Sequence, residues 1–139
     1  AAMTVGEAQY WVEKAVATQP AGFVYCLKPY VYDHKLNNFC EAESAASASK
    51  CFYLPQAELP ESDPRSRTGC LIGTAMLLAG RVVEKQHEDA DPVGNMHCWN
   101  LSVEAAKYLK EVQSRQDSGQ SWAMAAQMGM ERYLMLHRC

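Results

Sequence analysis

The stretch Gly22 to Cys40, GFVYCLKPYVYDHKLNNFC, decides between a helical chain and a mixed one. It is rich in aromatic and β-branched residues, which fit a pleated, half-buried surface. Phe23 to Leu27 and Tyr30 to Tyr32 read as strands, and Pro29 marks an edge or a break. Asn37-Asn38 reads as a turn, and Phe39-Cys40 as the start of the return strand. Cys51 to Leu54 is a further short strand candidate. On this reading the fold is α+β: a small antiparallel sheet packed against about four helices.

Moving outward, the flanks are helical. Thr4 and Glu7 form a capping-box pattern before Ala8, Trp11, Val12, Ala15 and Val16, which recur at helical spacing to about Ala17. Downstream, EAESAASASK (Glu41–Lys50) is a low-complexity Ala/Ser patch, readable as a short helix or a loop. PQAELPESDPRSR (Pro55–Arg67) reads as a surface loop. Cys70 to Ala79 is apolar on nearly every side, which predicts a buried helix capped by Gly80. Glu84 to Asn95 reads as a solvated polar loop. Leu101, Ala105, Tyr108, Leu109 and Val112 mark a third helix, with Asn100 or Ser102 as its cap and Asp117-Ser118-Gly119 as its end. Ser121 caps a fourth, from Trp122 to about Leu136.

At 139 residues, the chain is long enough for one self-sufficient core. Ala1 and Ala2 read as a tag remnant, leaving residues 3–139 as a single globular domain. Thirteen basic against sixteen acidic residues give a net charge of −3, which disfavours a general nucleic-acid binder. No apolar run is long enough for a membrane span, and no signal peptide is visible. The six cysteines, Cys26, Cys40, Cys51, Cys70, Cys98 and Cys139, are therefore expected as free thiols.

Three short motifs carry a resemblance. They are the Tyr/Cys-containing segment Phe23–Tyr32, the Cys-x-x-Gly-x-Ala helix start at Cys70, Gly73 and Ala75, and the run Gln113, Asp117, Gly119, Trp122 and Ala125. Together they resemble small proteins of unknown function encoded by actinobacteriophages of the mycobacteriophage type. The resemblance implies an intracellular phage accessory protein and supplies no activity. Such relatives often carry His where this chain has Thr74.

Two constellations could carry function. Cys70 stands at a helix start, where the dipole and free amides lower a thiol pKa. With His97 as base, His87 as second choice, and Asn100 or Asp91 as orienting group, it would make a cysteine-dependent hydrolase or transferase. Arg65 and Arg67 would add positive potential. The competing reading is that Cys70, Gly73 and Ala75 are small because backbones meet there. The second constellation is Met124, Met128 and Met135, which share one side of the last helix with Glu131 interrupting. Methionine faces adapt to partners.

The expected function is a non-catalytic binder or modulator of a host protein in the host cytoplasm, or a homodimer, through those methionines. The enzyme built on Cys70 is one alternative. A small-molecule binder, with its pocket between the Cys70 helix and the sheet, is the other. No cofactor, nucleic acid or membrane is expected as a partner. No metal is expected either, because no Cys or His pair has zinc-ligand spacing.

Overall fold

The structure, a computed structural model, describes residues 1–25, 30–33, 35, 38–41 and 52–137, with the backbone alone for residues 30–33 and 38–41. Among the described residues four α-helices carry it: α1 (Val5–Ala17), α2 (Leu71–Leu78), α3 (Val103–Asp117) and α4 (Trp122–Leu136).

Local chemistry sets the helix ends. Thr4 Oγ1 accepts from Glu7 N at 3.1 Å and Glu7 Oε1 accepts from Thr4 N at 3.2 Å, so the capping box of α1 is complete. Ala8, Val12 and Ala15 form its buried stripe. Ser102 and Ser121 cap α3 and α4 by accepting from Ala105 N and Met124 N. At the end of α2, Arg81 N donates to Met76 O and Gly80 N to Leu77 O. This pair is a Schellman motif, and it places Gly80 at φ +79°, where a side chain would be strained.

Only the residues 118–121 separate α3 from α4, so the two form an antiparallel helical hairpin. Their backbones come close at Gly129. A Cβ there would fall 2.7 Å from Val112 Cα, so the glycine lets the two backbones touch. Helix α1 packs on α2 and more lightly on α3 and α4.

The α+β expectation is overturned: the fold is helical. Of the expected strands, the chain forms a ladder of β1 (Tyr30–Asp33) with β2 (Asn38–Glu41), antiparallel, with Tyr30 opposite Glu41. A lone two-stranded hairpin is marginal by itself, and no sheet packs against the helices among the described residues. Val24 makes a single bridge to Ser121, and Phe52 to Leu54 is not a strand. The physical reason is that several of the aromatics read as strand formers enter the core from loops. Tyr25 and Tyr53 are buried, and Phe23 meets Trp122 edge-on at 4.8 Å. The Ala/Ser patch over 42–50, together with Cys26, Leu27, Pro29, His34, Asn37, Cys51 and Cys139, lies outside the described residues.

Two segments expected to be solvated are packed instead. In the Pro-rich loop, Asp63 and Arg65 are buried as an ion pair at 2.9 Å beside a short 3-10 turn, Pro64–Ser66. In the acidic loop, Glu88 accepts from Tyr53 N at 2.6 Å and Leu54 N at 3.2 Å. Tyr53 Oη donates to Ala90 O at 2.7 Å, and its ring meets Trp99 edge-on. Backbone donors without partners are costly inside a protein. Glu88 supplies those partners for a segment that has no sheet.

Candidate functional site

Three helices leave an open cleft of about 440 Å³ between α1 and α4, with α3 beneath. That size lies within the range of small ligand pockets. Helical spacing builds both rims. Gln9, Glu13 and Val16 are one face of α1; Ala123, Ala126, Gln127, Met130 and Glu131 are one face of α4. The rims mirror each other. Gln9 Nε2 donates to Glu13 Oε1 at 3.5 Å, and Gln127 Nε2 donates to Glu131 Oε1 at 3.4 Å. Each carboxylate is thereby steadied by a glutamine one turn earlier. Val16, Ala123, Ala126 and Met130 supply apolar surface. Among the described residues no basic side chain lines the cleft.

Tyr108 from α3 completes the lining. It is 1% exposed, and among the described residues no hydrogen bond reaches its hydroxyl. Burial and then the nearby Glu13 carboxylate push its phenol well above the ordinary 10.0. Tyr108 and Glu13 both line the cleft. Its ring stands edge-on to Tyr133 at 6.1 Å. The Tyr133 hydroxyl, by contrast, is satisfied: it donates to Glu104 Oε2 at 2.9 Å. Burial and that hydrogen bond also raise the Tyr133 phenol. Among the described residues the buried side-chain polar atom without a partner is Arg115 Nε, whereas the Tyr108 hydroxyl, with no protein partner, keeps an edge on the open cleft.

Cys70 sits elsewhere. It is the N-cap of α2, fully buried, and its Sγ accepts from Gly73 N at 3.5 Å. Gly69 and Gly73 are glycines because the Tyr53 carbonyl lies against both; a Cβ at either position would overlap it. His97 and Asn100 share one exposed turn, with Asn100 N donating to His97 O. No hydrogen bond links either of them to Cys70. Asn100 adopts φ +52° and its side chain donates to Ala1 O at 3.3 Å. His87 is buried edge-on to Trp99, and its Nδ1 accepts from Glu84 N at 2.9 Å. Asp91 Oδ1 accepts from Gly94 N at 2.9 Å. Arg65, expected to raise the potential near Cys70, is bound to Asp63 through Nε and Nη2. Among the described residues no three His, Cys, Asp or Glu side chains are grouped to hold a metal.

The methionine edge borders the cleft on α4. Met124 is 44% exposed and Met135 67%, with Met128 half-buried. Leu134 and Leu136 beside them are also exposed.

No family model, curated protein or solved structure matches the chain. The geometry therefore stands alone. Sequence reasoning missed Gln9, Glu13, Tyr108, Ala126 and Met130, and took Glu131 for an interruption of the methionine face. A signal was present: Gln-x-x-x-Glu occurs at Gln9–Glu13 and again at Gln127–Glu131.

Proposed function

We propose that the protein is a non-catalytic binding factor, and that the α1–α4 cleft with the methionine edge of α4 is its docking surface for a segment of a partner protein. One observation carries the reading: a preformed apolar cleft opens beside exposed methionines on the same helix. Amphipathic helices dock in such grooves through a few anchor side chains. The motif resemblance supports the further reading of a phage accessory factor that acts on a host protein in the host cytoplasm. No helix among the described residues is long and apolar enough to cross a membrane.

The test uses amphipathic helical peptides of about 16 residues, long enough to form a helix once docked. They share a Leu face and differ only in the charge of the other face. Ala126→Trp would fill the cleft from its apolar wall. At least one peptide is expected to bind the wild type and to lose binding to this variant, with the unfolding midpoint of the variant preserved. Binding that ignores Ala126→Trp, or no binding by any peptide, would reject the proposal.

A second copy of the chain is the competing occupant, favoured by the exposure of Met124 and Met135. Light scattering across a dilution series, with Met128→Glu alongside, decides this point. A concentration-dependent dimer abolished by the variant would establish self-association. A monomer throughout would exclude it.

A further inference from the structure

The cleft has a charge preference built into it. Its two rims each carry a carboxylate, Glu13 on α1 and Glu131 on α4, and among the described residues no cation lines it. Acidic rims alone would be a solvated feature of an acidic chain. The second observation is geometric: the Tyr108 side chain, 1% exposed, lines the cleft, and its hydroxyl has no protein hydrogen-bond partner among the described residues. That hydroxyl oxygen keeps an edge on the open cleft, where a donor from an incoming ligand can reach it. A group with several N–H donors would satisfy both features at once, because it could donate to the phenol oxygen and to either carboxylate.

Resting on the docking reading above, we propose that the partner segment is basic and amphipathic, and that it places one Lys or Arg in the cleft, donating to Tyr108 Oη between Glu13 and Glu131. Apolar residues flanking that cation cover Val16, Ala126 and Met130. The aliphatic stem of the Lys or Arg packs on the same apolar wall, while its charged end stays among the oxygens. Desolvating a cation is expensive unless it is paired and hydrogen-bonded, and this cleft supplies both conditions. An acidic segment would meet two like charges and an acceptor with no donor beyond one phenol proton. The discrimination is therefore built from repulsion as well as attraction.

The same peptide pair separates this inference from the docking reading. At about 0.15 M salt, where distant charges are screened, the Leu/Lys peptide is expected to bind at least about tenfold more tightly than the Leu/Glu peptide. The Glu13→Gln, Glu131→Gln double variant is expected to erase most of that preference, and Tyr108→Phe to weaken the Lys peptide several-fold. Glu58→Gln with Glu61→Gln removes equal charge from exposed positions outside the cleft and is expected to change little. If both peptides bind alike and Ala126→Trp abolishes both, the docking reading stands and the basic partner is overturned. If a Lys preference persists unchanged in the cleft variants, the attraction is that of the acidic chain as a whole, and the assignment to this cleft fails. If butylamine alone competes at an affinity matching the Lys peptide, the ligand is a free amine and the protein segment is rejected. If no peptide binds, both readings fail.

Discussion

Gln116 is fully buried at the junction of three helices. Its Oε1 accepts from Leu71 N, at the start of α2, at 2.7 Å and from Trp122 Nε1, at the start of α4, at 3.1 Å. Its Nε2 donates to Asp117 Oδ1 at 3.0 Å. Gln116→Leu keeps the approximate shape and removes the acceptor. Two donors in a dry site, the Leu71 amide and the Trp122 indole, then lack that partner. Each orphaned buried donor costs about 1–3 kcal/mol. Burying the leucine offsets about 1.5 kcal/mol of this. The expected net loss is about 0.5–4.5 kcal/mol, set against a whole-domain stability of about 5–15 kcal/mol. The variant should therefore fold and show a lowered urea midpoint at unchanged slope. Trp122→Phe deletes one of the two donors. Combined with Gln116→Leu, it should cost less than the sum of the single changes, with a coupling of about 1 kcal/mol. No measurable loss for Gln116→Leu, or strict additivity in the cycle, would refute the claim that this side chain ties the three helices together.

Native iodoacetamide labelling should be slow at the buried Cys70 and fast at the exposed Cys98, read by peptide mass mapping; rapid selective labelling of Cys70 would reopen the cysteine-enzyme reading. Gly73→Ala should destabilise by about 1–3 kcal/mol or more, because its Cβ meets the Tyr53 backbone and not a yielding side-chain tip; a neutral urea midpoint would contradict that packing. The Tyr108 phenol is raised in the folded state, so its stabilising contribution is complete below the ordinary value of 10.0 and is lost as pH climbs above it. Unfolding midpoints at about pH 8 and about pH 11 should show this decline, and Tyr108→Phe should flatten it while leaving stability near neutral pH unchanged or slightly raised; equal declines in both proteins would remove Tyr108 as a cause.

Helix ends were legible in the sequence because their chemistry is local. Thr4 with Glu7, Ser102, Ser121 and Gly80 each act within one turn, and each does what its residue type and position imply. The burial of Trp122 followed from its place at the start of an apolar stripe. What misled was the aromatic content of Gly22 to Leu54. Period and propensity cannot tell a strand that pairs from a loop that inserts its rings between helices, as Tyr25 and Tyr53 do. The packed acidic loop was hidden for a similar reason: Glu88 serves amides 35 and 34 residues away in the chain. The cleft was harder still. Its oxygens come from α1, α3 and α4, and only the tertiary arrangement brings them to one place. The two Gln-x-x-x-Glu pairs were visible, but nothing in the sequence says that they face each other.

The central claim is that the α1–α4 cleft is where a basic partner docks. The seven methionines report on it directly. With 13C-methyl-labelled methionine, titration by the Leu/Lys peptide should shift Met130 on the cleft wall most, and move Met124, Met128 and Met135 along the edge. The core residues Met3 and Met76 should stay in place. Saturable binding that leaves the Met130 methyl unmoved would contradict the account.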